Sequence, residues 1–159
     1  MKKKSIKYPV KEQPATLVMD KEMPFYTESS FSSIVKDDAH LLINKSRNGM
    51  AMYQIENLMK RYDLTLKEMA SVLNISERTL QRYEDKDVLS KDASERALHL
   101  QRLYERGSAV FGTLDNFCDW MKSPVLIFSN EKPISFLDTI FGFELLEQEL
   151  GRIEHGIFA

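Results

Sequence analysis

The residues best suited to chemistry in this 159-residue chain are Ser76, Glu77, Arg78, Thr79, Gln81 and Arg82, packed into one short run. Arginine pairs bidentately with guanine, glutamine pairs with adenine, and serine or threonine reaches phosphate, so the set carries the side chains that read a DNA major groove. Thr79 and Lys86 add candidates for contacts to the DNA backbone. A second reading stays open, in which Arg78 and Arg82 only pair with Glu77 and Glu84 on a solvated helix. Nothing comparable points to catalysis. His40, His99 and His155 are scattered without the spacing of zinc ligands. Cys118 lies between Phe117 and Trp120, where a buried structural thiol is expected rather than a nucleophile. There is no glycine-rich phosphate loop and no G-x-S-x-G elbow. Glu144, Glu147, Glu149 and Glu154 read as decoration of a helix surface. We therefore expect no enzyme, no cofactor and no metal.

A helix must hold the DNA-reading set, and its neighbours are legible. Thr65-Leu66-Lys67-Glu68 is a capping box that opens a short helix over about Leu66 to Leu73. Asn74-Ile75-Ser76 makes a tight turn, and Ser76 caps a following helix over about Glu77 to Asp85. Met69, Ala70, Leu73, Ile75, Leu80 and Tyr83 fall where two crossed helices need a shared core. Upstream, helices are expected from Phe31 to Asn48, ended by Gly49, and from Ala51 to Tyr62. In the first, Ile34, Val35, Leu41 and Leu42 supply the apolar face. The spacing of Met52, Met59 and Met69 marks them as core filler. A longer helix spans about Asp92 to Phe111, with Ala93, Ala97, Leu100, Leu103 and Tyr104 inward.

Beyond Gly112, a helix over Asp115 to Met121 precedes Ser123-Pro124. Val125 to Phe128 reads as a short strand or extended chain, with a turn at Ser129-Asn130. Pro133 opens a helix lined by Ile134, Leu137 and Ile140 and ended by Gly142. A last helix, about Phe143 to His155, carries Leu145, Leu146, Leu150 and Ile153. Phe111, Phe117 and Trp120 are spaced as a core cluster rather than as a ligand box. The fold class is therefore mainly α.

The bulk numbers limit the rest. Hydrophobic residues make up 43% of the chain, enough for a packed interior, and the formal net charge is −2, so any DNA contact must come from a local patch. The single cysteine forms no intrachain disulfide and suits a reducing compartment. Lysines without a following apolar run are not a secretory signal, and no apolar stretch is long enough to cross a membrane. A cytoplasmic protein is expected. Residues 1–32, with Pro9, Pro14 and Pro24, read as a flexible N-terminal segment, and the rival reading is a basic arm on DNA phosphates.

Thr65 to Glu84 resembles the Xre/Cro-type helix-turn-helix at Met69-Ala70, Leu73, Ile75-Ser76, Thr79-Leu80 and Arg82-Tyr83-Glu84. Leu66 stands where that pattern has glutamine, and Asn74 where it has the turn glycine. Farther on come Ser94-Glu95-Arg96, Val110-Phe111-Gly112, Trp120-Met121, Ser123-Pro124, Pro133-Ile134, Leu137-Asp138-Thr139, Gly142 and Leu150 to Ala159. These resemble the C-terminal toxin-binding domain of Xre/MbcA/ParS antitoxins. Val125 and Ser129-Asn130 depart from an asparagine and a Gly-Gly pair common there.

The resemblance implies three parts: residues 1–32, a helix-turn-helix domain with its long connecting helix over 33–111, and a small helical toxin-binding domain over 112–159. It also implies an antitoxin of a type II toxin–antitoxin system. Such a protein occludes an NAD-using RES-type toxin with its C-terminal end and represses its own operon as a dimer, within a larger toxin–antitoxin complex. The toxin contact would then fall on Arg152, Glu154, His155, Gly156, Ile157, Phe158 and Ala159. Apolar residues at a chain end suit an interface, and arginine suits carboxylate or phosphate groups. Residue spacing alone equally allows Ile157 and Phe158 to fold back onto the core. The alternative function is a plain helix-turn-helix regulator whose C-terminal domain dimerises or senses a ligand.

Overall fold

A computed structural model describes residues 40–156. The N-terminal segment expected over 1–32, the expected helix start at Phe31, and Ile157, Phe158 and Ala159 lie outside the described residues. The helices are α1 (40–48), α2 (Met52–Arg61), α3 (Leu66–Leu73), α4 (Glu77–Gln81), α5 (Lys91–Phe111), α6 (Leu114–Lys122) and α7 (Ile140–Glu154). Two 3-10 turns, Leu126–Phe128 and Pro133–Asp138, connect α6 to α7. Among the described residues there is no sheet, only isolated antiparallel bridges pairing Ala51 with Val88 and Val125 with Glu131.

Most helix starts are written in hydroxyls. Thr65, Ser76, Ser90, Thr113 and Thr139 each accept an N–H from the third residue beyond them, which satisfies one of the first-turn donors that a helix leaves open. Ala51 has no such acceptor. Its helix, α2, is closed instead by carbonyls from outside: Met52 N–H donates to Asp87 O at 2.9 Å and Tyr53 N–H to Asp85 O at 3.1 Å.

α5 is the spine of the molecule. Its 21 residues span about 30 Å, and Ala93, Ala97, Leu100, Leu103 and Tyr104 are buried where α3, α6 and α7 pack on it. One hydrophobic cluster runs from Met50 to Leu150. Within it a chain of aromatic contacts crosses the fold. Tyr62 stacks on Tyr104 at 4.2 Å between centroids, Tyr104 meets the edge of Phe117 at 5.1 Å, and Phe117, Phe111 and Trp120 lie within 5.7 Å of one another. Trp120 continues to Phe128, and Phe128 to Phe136. Such pairs add ~0.5–1.5 kcal/mol each beyond area burial. Met52 and Met69 are buried, and Met59 packs on the same cluster.

Several local expectations are revised. The helix opened by Pro133 is a 3-10 turn, and Gly142 does not end it. Gly142 lies in the first turn of α7, where a Cβ would stand 1.6 Å from the Phe136 carbonyl oxygen. The glycine is needed for close approach of two backbones. Because α7 begins at Ile140 under the Thr139 cap, Ile140 and Leu145 turn outward, 59% and 39% exposed. Leu146 and Leu150 point inward as expected. In α1, Leu42 packs on the core while Leu41 is exposed. The 125–128 segment is divided: Val125 is extended and bridged to Glu131, then Leu126–Phe128 coil. Ser129 and Asn130 both adopt positive φ, 56° and 64°, the conformation that a Gly-Gly pair would take without strain.

Candidate functional site

The first surface is built by α3, α4 and the turn between them. Thr65 Oγ1 accepts the Glu68 N–H at 3.2 Å, and Glu68 Oε2 accepts the Thr65 N–H at 2.8 Å. This reciprocal pair sets the direction of α3. Asn74 closes α3 at φ 54°, ψ 43°, a left-handed conformation that asparagine tolerates in place of glycine. Its turn brings the Ile75 N–H onto the Ala70 carbonyl at 3.0 Å. Ser76 then caps α4, its Oγ accepting the Thr79 N–H at 3.0 Å. Met69, Ala70, Leu73 and Leu80 are buried between the two helices, with Ile75 and Tyr83 partly buried beside them.

With that core fixed, Ser76, Glu77, Arg78, Thr79, Gln81, Arg82 and Lys86 are all exposed. The ion pairs among the described residues join Arg106 to Glu147 and Glu154, Lys122 to Asp63, and Arg152 to Glu149. Arg78 and Arg82 take part in none of them, so the pairing with Glu77 and Glu84 is not formed. The hydroxyls of Ser76 and Thr79 lie 2.7 Å apart, so one donates to the other.

The second helix is shorter than its sequence suggests. It ends at Gln81 rather than Asp85, and Lys86 sits in a turn. The cause is the missing cap of α2. The carbonyls of Asp85 and Asp87 are spent on the start of α2, and the Glu84 N–H donates to Asp87 Oδ2 at 2.8 Å. Continuing α4 would break all three bonds.

The second surface is the outer side and C-terminal end of α7. Arg152, Glu154, His155 and Gly156 are exposed there. Arg152 Nη1 lies 3.4 Å from Glu149 Oε2, and Glu154 Oε2 lies 3.4 Å from Arg106 Nη2. Arg106 also donates to the backbone and carboxylate of Glu147, and these carboxylates raise its already high pKa. α7 is thereby clamped along α5. Cys118 is half-buried, with Sγ 3.6 Å from the Tyr62 carbonyl, and burial pushes its thiol up.

Arg96 is a structural residue whose role the spacing did not reveal. Its Nη1 donates to Val72 O at 3.3 Å and to Asp138 O at 3.1 Å. One guanidinium thus ties the last turn of α3 to the 3-10 turn before α7. Phe141, 81% exposed, is likewise not marked by the residue spacing. Reading Thr139 as a helix cap would have brought it into view, because the wheel of α7 then places it opposite Leu146 and Leu150.

Two family models match this architecture in the same order. Residues 46–102 match the antitoxin Xre-like helix-turn-helix domain, and residues 106–156 match the antitoxin Xre/MbcA/ParS C-terminal toxin-binding domain. The chain belongs to the Xre/MbcA/ParS antitoxin family. No curated relative matches it. As an antitoxin of a toxin–antitoxin system, it carries its DNA-binding-type domain and its toxin-binding domain on one core, with α5 running through the first matched segment and into the second. Among the described residues no helix is long and apolar enough to cross a membrane.

Proposed function

We propose that this antitoxin neutralises an NAD-using RES-type toxin by seating its C-terminal end, Arg152 and Glu154 to Ala159, in the toxin's active-site cleft. It also represses its own operon in the cytoplasm, as a homodimer that sets two copies of Ser76, Glu77, Arg78, Thr79, Gln81, Arg82 and Lys86 on two operator half-sites. The observation that carries the reading is the placement of a toxin-binding domain directly behind a helix-turn-helix whose outer arginines are free of ion pairs among the described residues. Arg152 suits the phosphates of NAD, because a guanidinium offers a fork of donors to such oxygens.

The test is co-expression with the product of the neighbouring reading frame, scored by host growth and co-purification. Wild-type antitoxin should restore growth and form a stable complex. Deleting Gly156 to Ala159 together with Arg152→Ala should abolish rescue while leaving folding and promoter binding intact. Rescue by the truncated chain would refute the role of the tail. No toxicity and no complex with the wild type would favour a plain regulator.

A further inference from the structure

α7 has two faces with different chemistry. Phe143, Leu146 and Leu150 are buried against the rest of the fold. On the far side, Phe141, Leu145, Gln148 and Arg152 follow one another at spacings of four, three and four residues. At 100° per residue they fall within about 60° of arc and form one stripe along the helix. Phe141 is 81% exposed and Leu145 is 39% exposed. No charge lies on the stripe before Arg152. Large apolar side chains one turn apart on a solvent-facing helix mark an interaction face rather than scattered surface hydrophobes.

We infer that Phe141 and Leu145 are the apolar anchors of the toxin contact, and that the outer stripe of α7 lies in an apolar groove on the toxin. This rests on the toxin-binding reading given above and extends it from the tail to the body of the helix. The occupant follows from continuity. The stripe runs within the segment that matches the toxin-binding domain and leads into Arg152, with His155 beside it at the end of the same helix. A toxin held at Arg152 is therefore in line with Leu145 and Phe141, roughly 10 and 16 Å back along the axis at 1.5 Å per residue. Helix-in-groove recognition uses anchors at this spacing, and aromatic anchors near the centre of an interface dominate its energetics. The Arg106 clamp to Glu147 and Glu154 holds α7 on α5, so the stripe is presented without an ordering step.

The test is a titration of full-length antitoxin against the neighbouring-frame toxin, comparing wild type, Phe141→Asp/Leu145→Ser, and the tail deletion with Arg152→Ala. Thermal melting and promoter binding serve as controls for folding, since both substituted residues are exposed. The expected result is toxin binding at least about 100-fold weaker for Phe141→Asp/Leu145→Ser, with melting and promoter affinity unchanged. Wild-type binding with that variant within threefold of it would overturn the inference and leave the toxin reading standing. Failure of the wild type to bind would overturn the toxin reading itself. Unchanged toxin affinity with conversion of a dimer to a monomer would overturn the inference by showing that the stripe joins two copies of this chain.

Discussion

Replacing Gly142 by alanine should displace α7 from the Pro133–Asp138 turn. The added Cβ would stand 1.6 Å from the Phe136 carbonyl oxygen and 2.5 Å from its carbon. Carbon and oxygen approach to about 3.3 Å without repulsion, so one backbone must retreat by roughly 1.5–2 Å. Overpacking of this kind costs about 1–3 kcal/mol when side chains can adjust. Here the obstacle is backbone, which places the cost at the upper end. Alanine's better helix propensity returns about 1 kcal/mol. The net is about 2 kcal/mol, or a fall in Tm of roughly 8 °C for a folded body of this size. Thermal melting followed by circular dichroism would measure it. Asparagine at 142 discriminates the cause. If the glycine served a left-handed helix end, asparagine would be tolerated much better than alanine. If close approach is the reason, asparagine brings the same Cβ and should be at least as damaging. A Gly142→Ala protein melting within about 1 °C of wild type, or an asparagine variant clearly more stable than it, would refute the reasoning.

Arg78→Ala should weaken promoter binding by about tenfold or more, as expected for one specific arginine contact, with toxin inhibition unchanged. Fluorescence anisotropy across a salt series would show it, and an unaltered affinity would mean that another face meets DNA. Arg96→Met removes the donor shared by Val72 O and Asp138 O and should cost about 1.5 kcal/mol, the lower end of the range for hydrogen bonds to charged groups, because the bond to Asp138 is solvent-exposed. Urea denaturation would register this as a lower midpoint, and an unchanged midpoint would show that the tie is dispensable. Burial raises the Tyr62 pKa to about 12 and that of Tyr104 higher still. Their neutral forms therefore stabilise the fold fully below pH 10, and that contribution disappears as pH rises through the folded values. Tyr62→Phe with Tyr104→Phe should flatten the alkaline loss of stability between pH 10 and 12, and an identical pH profile would assign that loss to other groups.

The two arginine clamps make α5 the element that joins the two matched domains. Arg96 reaches α3 and the 3-10 turn, and Arg106 reaches α7. Both lie on the helix that begins in the first matched domain and ends in the second. The two candidate surfaces are therefore built on one continuous core.

How much of this was legible in the residues depends on the range of the interactions involved. The capping box at Thr65 and Glu68, the Ser76 cap, the left-handed Asn74 and the inward face of α5 are set by groups at most a turn or two apart, so composition and spacing determine them. The exposed set on α4 follows from the same local logic, because burying Leu80 turns Arg78 and Arg82 outward. Tertiary structure decided whatever depends on a partner distant in sequence. α4 stops at Gln81 because Asp85 and Asp87 supply the cap that Ala51 lacks, about 35 residues away. Gly142 is a contact glycine because Phe136 passes beneath it. Arg96 is a tie because Val72 and Asp138 converge on it. Phe141 and Leu145 became a surface only once Thr139 started α7 and fixed its rotation. Local hydrogen bonds and periodicity are written in neighbouring residues, whereas convergence of carbonyls and the facing of a helix are properties of the packed chain.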